Sequence, residues 1–151
     1  MSTKILMVCL GNICRSPLAE GILKSKLTNS NTMVDSAGTG AWHAGNLPDK
    51  RSIKVAEKHG IDITTQRARQ ITRDDLRVFD VVYAMDQSNY DNIILMCQSD
   101  AEKAKVKLIL NEISFGTSEV PDPYYGEGDG FENVYQMLNI ACNEIVKNQL
   151  P

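Results

Sequence analysis

Short runs of apolar residues alternate with longer amphipathic segments along this chain. Four of the apolar runs are rich in Val, Ile, Leu and Met and have the length of buried strands: residues 4–10, 32–38, 79–85 and 105–110. Helical patterns follow at residues 16–27, 49–59, 72–78, 86–98 and 130–148. This order predicts a three-layer α/β fold, a four-stranded parallel sheet with helices on both faces. We expect one domain, residues 1–151.

Two of the predicted helices carry individual signals. Ser16 followed by Pro17 predicts an N-cap with proline in the first helical position. In the last helix, apolar side chains recur at steps of three and four residues, and they are Phe131, Val134, Tyr135, Leu138, Cys142 and Ile145. We therefore expect Cys142 to be structural, and Cys97 as well. The irregular stretches 39–48 and 111–129 have lengths that usually indicate function.

The composition of the chain argues against some classes of binding partner. The net charge of -3 and the pI near 5.4 argue against general binding to nucleic acid or to an anionic membrane. No apolar run approaches the roughly 20 residues of a membrane span, and the chain reaches its first strand too early for a signal peptide. We expect a cytoplasmic protein whose four cysteines are thiols.

The turn after the first strand carries the candidate chemistry. The segment VCLGNICRSP, residues 8–17, places Cys9 at the carboxyl end of a strand, where open α/β sheets bind ligands. Backbone N–H groups of the residues after Cys9 can converge on an anion, since Gly11 permits close approach and positive φ and Asn12 tolerates left-handed geometry. The prediction is a phosphate-binding loop after the first strand.

A thiol and a guanidinium flank this loop. Inward-facing amides and a helix N-terminus favour the thiolate form of Cys9. Arg15 returns on the first helical turn as a planar fork that holds two phosphate oxygens. Together they predict covalent phosphoryl transfer. The loop is not a Walker loop, because no Gly-Lys-Ser/Thr follows.

Four segments of the chain are similar to the low-molecular-weight protein tyrosine phosphatase family. They are VCLGNICRSP at 8–17, DSAGTGAW at 35–42, AMDQSNY at 84–90 and PDPYYG at 121–126. The resemblance implies Cys9 as nucleophile, Arg15 as phosphate clamp and Asp122 as general acid. It implies that Ser16 stabilises the thiolate. The remaining residues of the loop and its supports are Leu10, Gly11, Asn12, Ile13, Cys14, Ser36 and Asp86.

The residues themselves support Asp122 less strongly. A carboxylic acid between two prolines can be held where an aryl leaving group needs a proton, although an ordinary turn aspartate has the same sequence. Trp42, Tyr124 and Tyr125 are expected to wall a deep slot for a phosphotyrosyl ring, which would keep short phosphoserine away from the thiolate.

Two positions leave alternatives open. Cys14 has the position to trap an oxidised Cys9 as a reversible disulfide, which the resemblance favours, or it packs beneath the loop. Gln66 stands where many relatives of this family carry a histidine that braces the loop through positions like Ser36 and Asn12. We expect the network to be rewired through the Gln66 amide. No clustered ligands suggest a metal site, and no cofactor is implied.

The expected function is hydrolysis of phosphotyrosine-containing proteins or small aryl phosphates, with inorganic phosphate as product. One alternative is a thiol-dependent arsenate reductase of the same fold, which requires further redox cysteines placed to relay a disulfide. Another is a non-catalytic phosphate-binding module, which needs neither Cys9 nor Asp122.

Overall fold

The computed structural model describes residues 3–27, 31–113, 117–124 and 129–148, which contain a four-stranded sheet. Its strands are β1 (Lys4–Cys9), β2 (Met33–Gly38), β3 (Val81–Ala84) and β4 (Val106–Leu108). All neighbouring strands are parallel, in the order β2-β1-β3-β4. The predicted fold class is therefore confirmed.

Six α-helices lie in the described residues. They are α1 (Arg15–Ser25), α2 (Lys50–Lys58), α3 (Arg73–Val78), α4 (Gln87–Met96), α5 (Asp100–Ala104) and α6 (Gly130–Asn148). Five of them were predicted. The short α5 was not, and the predicted strand at 105–110 ends early because Ile109 and Leu110 begin a buried 3-10 helix, Ile109–Glu112. An apolar run alone does not distinguish these two structures.

The start of α1 corrects one prediction. The helix begins at Arg15, and its N-cap is Cys14, which makes no side-chain capping bond. Ser16 is therefore inside the first turn and is not the N-cap. Pro17 is the third helical residue, where the missing N–H has no intrahelical partner to lose.

Two apolar cores cover the two faces of the sheet. Alternate side chains of β1 point to opposite faces, so that Ile5 and Met7 join one core while Leu6 and Val8 join the other. The first core includes α1, α2 and the predicted stripe of α6, all of whose members are buried. The second includes residues of α3 and α4. The carboxyl ends of the strands thus lie between two packed layers.

None of the helices in the described segments is both long enough and apolar enough to cross a membrane.

Candidate active site

The loop between β1 and α1 turns its carbonyl groups outward. Four of these oxygens accept hydrogen bonds from the surrounding chain: Cys9 from Thr39 N, Leu10 from Gly40 N, Ile13 from Asp49 N and Cys14 from the Ser52 hydroxyl, at 2.7–3.1 Å. Within the described part of the chain, the backbone N–H groups of residues 10–14 have no protein acceptor. The loop therefore has the geometry of an anion-binding nest.

The left-handed residue of the loop is Asn12, with φ of 57°. Its residue type predicted this tolerance, whereas Gly11, which also permits positive φ, does not adopt it. Gly11 serves close approach instead, because a Cβ there would lie 3.0 Å from Cδ2 of His43. Gly38 has a similar role, since its Cβ would lie 2.8 Å from the Leu10 carbonyl oxygen.

Cys9 is almost fully buried at the bottom of the loop. Its Sγ lies 3.0 Å from the Ser16 hydroxyl. The amide of Asn12 donates to Ser16 Oγ at 2.8 Å and to Ser36 Oγ at 3.0 Å. The three predicted support residues Asn12, Ser16 and Ser36 thus form one connected group behind the sulfur.

The partner of Ser36 differs from the expectation that Gln66 joins this group. Ser36 donates to the Glu20 carboxylate at 2.6 Å, and Gln66 takes no part. Gln66 donates to the Pro17 carbonyl at 3.0 Å, and its buried Oε1 has no partner in the described segments. The expected rewiring through the Gln66 amide is therefore wrong, because a buried carboxylate occupies that place.

Arg15 is held rigidly although it is a long side chain. It is 2% exposed, and Nη1 donates to Asp86 at 2.6 Å and to the Val120 carbonyl at 3.0 Å. Burial by itself lowers the pKa of this guanidinium, but the charges of Cys9 and Asp86 outweigh it and raise the pKa. Its buried Nε has no partner among the residues described. A charged, anchored donor therefore remains for an anion.

A cavity of about 330 Å³ opens above the loop. Its lining residues are Cys9, Leu10, Gly11, Ile13, Cys14, Arg15, Trp42, His43, Asp122 and Tyr124. The predicted wall residues Trp42 and Tyr124 thus lie at the cavity, although Trp42 is 72% exposed. The third predicted wall residue, Tyr125, lies outside the described residues.

Asp122 is among the residues that line the cavity. One carboxylate oxygen accepts the Tyr124 N–H at 3.0 Å, and the other lies 3.7 Å from Nη2 of Arg15. The side chain is 38% exposed, which leaves it accessible to a bound molecule and to water. The structure thus brings Cys9, Arg15 and Asp122 to one space.

Tyr124 is supported by a residue that the sequence did not single out. The Arg51 guanidinium lies 5.4 Å from the centre of the Tyr124 ring and 4.6 Å from that of Phe131, in cation–π geometry. Asp49 accepts two hydrogen bonds of 3.0 Å from the same guanidinium and so holds it in place. This wall of the cavity is therefore braced by α2.

All four cysteines are free thiols, as predicted. Burial and the neighbouring acids, Asp49 among them, raise the pKa of Cys14. Burial raises the pKa of Cys142 to about 12, and Cys142 lies in the core as expected. Cys97 directly follows α4 and is half-buried. Burial also raises its pKa.

Besides Arg51, His43 and Glu20 were not predicted as residues of the site. His43 lines the cavity and its ring lies 6.3 Å from that of Tyr124, and only its place next to Trp42 in the sequence could have indicated this. Glu20 and Lys24 form an i,i+4 pair, a pattern typical of a solvent-exposed helix face.

In the described segments, no three His, Cys, Asp or Glu residues form a group that could hold a metal ion.

Residues 4–150 match the model of the family described as low molecular weight phosphotyrosine protein phosphatase. The Schizosaccharomyces pombe protein of that name is 43% identical over 93% of this chain and 93% of its own length. The human protein is 38% identical over 95% of this chain and 93% of its own.

Solved structures agree with these sequence matches. A protein tyrosine phosphatase from Entamoeba histolytica, with Hepes in the active site, is 36% identical over 97% of this chain and 96% of its own, with a TM-score of 0.91. A Drosophila arginine phosphatase is 32% identical over 97% of this chain and 98% of its own, with a TM-score of 0.90.

Proposed function

Because the chain belongs to the low molecular weight phosphotyrosine protein phosphatase family, we propose that it hydrolyses phosphotyrosine and small aryl phosphates through a cysteinyl-phosphate intermediate. One observation carries the proposal: Cys9, Arg15 and Asp122 line the same cavity. A thiol, a buried guanidinium and an accessible carboxyl group are the nucleophile, charge clamp and proton donor that this reaction needs.

In the first step, the Cys9 thiolate attacks phosphorus. The S–P bond forms while the bond from phosphorus to the aryl oxygen breaks, and Asp122 gives its proton to that oxygen. Arg15 and the N–H groups of residues 10–14 hold the three equatorial oxygens, where negative charge is concentrated in the transition state. Ser16 donates a hydrogen bond to the thiolate before the attack.

In the second step, a water molecule replaces the aryl alcohol. Asp122, now a carboxylate, takes a proton from the water as its oxygen attacks phosphorus. The S–P bond breaks, the Cys9 thiolate returns and inorganic phosphate leaves. Neither step requires a cofactor or a metal ion, since the nucleophile, the acid and the charge clamp all come from the chain.

The walls of the cavity support an aryl substrate. Tyr124, His43 and Trp42 line the cavity, and Leu10 and Ile13 of the loop add apolar surface to it. A phenyl ring placed there contacts aromatic and apolar groups on several sides. The expected partners are therefore phosphotyrosine-containing proteins or small aryl phosphates.

The direct test is steady-state hydrolysis of phosphotyrosine, phosphoserine and phosphothreonine peptides and of p-nitrophenyl phosphate, with and without a chelator. We expect turnover of the phosphotyrosine peptide and of p-nitrophenyl phosphate only, and no effect of the chelator. Cys9→Ser should remove turnover yet still bind inorganic phosphate, because the N–H groups and Arg15 remain. Residual turnover within tenfold of wild type would contradict Cys9 as nucleophile, and chelator-sensitive activity would contradict the metal-free mechanism.

Two further substrates distinguish the proposed function from arginine phosphatase and arsenate reductase activities. Phosphoarginine is included because one similar structure is a Drosophila arginine phosphatase. Arsenate with a thiol reductant tests the reductase alternative, which the buried position of Cys142 does not favour. Preferred turnover of either compound over phosphotyrosine would overturn the proposal.

A further inference from the structure

The exposed side of α2 carries three lysines to which the proposed mechanism gives no role. They stand four residues apart, so they lie along one side of the helix. These residues, here called the lysine row, are Lys50, Lys54 and Lys58. The buried residues of α2 on the other side are Ser52, Val55 and Ala56. The lysine row therefore faces solvent and is free to meet another molecule.

The lysine row begins where α2 supports the phosphate-binding loop. Asp49, the N-cap of α2, donates its N–H to the Ile13 carbonyl at 2.7 Å. Arg51 contacts the ring of Tyr124, which lines the cavity. Lys50 follows Asp49 and precedes Arg51, so it stands next to the loop and next to one wall of the cavity. A substrate chain that leaves the cavity on this side passes along the lysine row.

The charge of α2 is opposite in sign to that of the whole protein. Its nine residues contain four cationic side chains and one acid, Glu57, whereas the chain has a net charge of -3. Two of the cations, Arg51 and Lys58, each have a carboxylate oxygen at 3.0 Å. Within the described ranges, Lys50 and Lys54 have no acidic partner.

This placement opposes the ordinary rules of helix stability. Lys50 is the first residue of α2, where the positive end of the helix dipole favours acidic side chains. Lys54 is one turn from both Lys50 and Lys58, and like charges four residues apart repel each other. Side chains that break such local rules and have no partner in the chain indicate a functional surface. The partner of this surface must be anionic.

The spacing of the lysines fits an extended peptide. A helix rises about 1.5 Å per residue, so Lys50 and Lys54 are about 6 Å apart along its axis. Alternate residues of an extended chain point to the same side and are about 6.6 Å apart. Two acidic side chains separated by one residue can therefore meet both lysines at once. Two adjacent acids cannot, because they point to opposite sides of the peptide.

We propose that Lys50 and Lys54 bind two acidic side chains that occupy alternate positions near the phosphotyrosine of a substrate protein. The inference rests on the proposed function, because the phosphotyrosine bound at Cys9 is what brings the acidic segment to α2. It defines the substrate class as phosphotyrosine within an extended acidic segment. A nucleic acid or a membrane is a poorer fit, since either needs a wide basic surface and the chain as a whole is acidic.

The test compares phosphotyrosine peptides that differ only in the pattern of charge. One series has two glutamates in alternate positions, another has them adjacent, and the reference has glutamines instead. The pair is moved stepwise along the segments before and after the phosphotyrosine. We expect the best alternating peptide to exceed the reference and its adjacent counterpart in kcat/KM by about five- to tenfold, the size expected for two exposed ion pairs. The preference should decrease from about 20 to about 300 mM NaCl, because salt screens exposed charges.

Substitution of the two lysines should remove the preference. In Lys50→Gln combined with Lys54→Gln, the ratio of kcat/KM for the alternating peptide to that for the reference should fall to about one. Lys50→Glu combined with Lys54→Glu should reverse the order, so that a peptide with two lysines is preferred. The matched control is Lys26→Gln combined with Lys103→Gln, which removes two charges that do not line the cavity and should keep the preference.

Stability gives a readout that does not depend on activity. The Tm of Lys50→Gln combined with Lys54→Gln should equal or exceed that of wild type, because the substitutions relieve repulsion within α2. A lower Tm would show that the two lysines stabilise the fold. That result would overturn the inference, since the lysines would then have a structural reason to be present.

The remaining outcomes distinguish the inference from the proposed function. Equal kcat/KM for all three kinds of peptide overturns the inference and leaves the phosphatase proposal intact. Binding to phosphatidylserine vesicles that requires Lys50 and Lys54, without any preference among the peptides, would assign the lysine row to a membrane and also overturn the inference. A wild-type protein that hydrolyses none of the phosphotyrosine peptides overturns the phosphatase proposal, and the inference with it.

Discussion

The guanidinium of Arg15 is oriented before any substrate arrives. Asp86 and the Val120 carbonyl hold Nη1, and the side chain is 2% exposed. A free arginine side chain loses up to about 2 kcal/mol of rotamer entropy when it is fixed, and here folding has already met that cost. A planar donor held in this way can stabilise the transition state without first reorganising.

The role of Asp122 is predicted to depend on the leaving group. A tyrosyl oxygen, with a phenol pKa of about 10, needs a proton more than an activated nitrophenolate does. Asp122→Asn should therefore slow phosphotyrosine cleavage by about 10²–10⁴ and nitrophenyl phosphate cleavage less. The measurement is kcat/KM against leaving-group pKa for both proteins. A steeper negative slope in the variant is expected, and parallel lines would show that another group is the acid.

Tyr124 and Trp42, the two wall residues that the structure describes, are predicted to contribute unequally to the binding of an aryl substrate. Tyr124 is half-buried and held beneath Arg51, whereas Trp42 is 72% exposed. Tyr124→Ala should therefore lower kcat/KM for aryl phosphates by a factor that corresponds to a loss of about 1–3 kcal/mol of transition-state stabilisation. Trp42→Ala should lower it by less. Small alkyl phosphates serve as the control and should change little. Equal losses for aryl and alkyl substrates would mean that Tyr124 supports the cavity rather than contacts the ring.

At the scale of elements, α2 and α6 are joined by one carboxylate. Glu132, in the first turn of α6, accepts hydrogen bonds from Lys58 and His59 at the end of α2, and from Gln136. The ring of His59 also stacks on Tyr135, with centroids 3.7 Å apart. The hydrogen bonds, first that from Gln136, lower the pKa of Glu132 to about 2.

Because the pKa of Glu132 is lowered, the stability that its hydrogen bonds between α2 and α6 provide depends on pH. A carboxylate whose folded pKa lies below its ordinary value of 4.5 stabilises the fold fully above that value and progressively less as the pH falls towards 2. Glu132→Gln should therefore lower Tm near neutral pH, and its difference from wild type should narrow below about pH 4.5. Glu144→Gln, on the same helix, is the control. A difference that stays constant as the pH falls would refute the link.

How far the elements could be predicted depended on their surroundings. Strands buried on both faces, such as β1, have continuous apolar sequences, and α6 has a complete apolar stripe, so both were predicted closely. Near the end of β4 this signal fails, because Ile109 is equally buried in a 3-10 helix. Some residues of the candidate site could likewise be predicted from the sequence, and others could not. The residues of the loop are contiguous and have distinctive chemistry, whereas Glu20 belongs to an ordinary helical charge pair whose burial depends on tertiary packing.

At the scale of the whole molecule, the parallel sheet brings distant segments to one edge. The ends of β1 and β2 are paired at Cys9 and Gly38, and the end of β3 leads directly to Asp86. The loop is therefore held by backbone contacts from several parts of the chain. Gly38 packs closely against the loop, because a Cβ there would meet the Leu10 carbonyl oxygen at 2.8 Å and Gly11 C at 3.0 Å.

Gly38→Ala is predicted to damage the loop and the fold together. Both opposing atoms belong to the backbone, so the loop must move, and overpacking of this kind costs about 1–3 kcal/mol. We expect a lower urea midpoint and a weaker Kd for inorganic phosphate. Gly130→Ala is the control, since its Cβ would meet Pro123 at 3.6 Å, an ordinary contact. Unchanged phosphate binding in Gly38→Ala would show that the loop does not rest on this position.

Trp42 is the only tryptophan in the chain, and its indole lies exposed against Gly40 at the rim of the cavity. Indole emission shifts to shorter wavelength when water is replaced by an apolar neighbour. An aryl ligand that covers this indole should therefore change the intrinsic fluorescence of the unlabelled protein, under excitation that tyrosine does not absorb. With this single built-in chromophore, the arrival and departure of ligands could be followed in real time by stopped flow, without a label or a coupled assay.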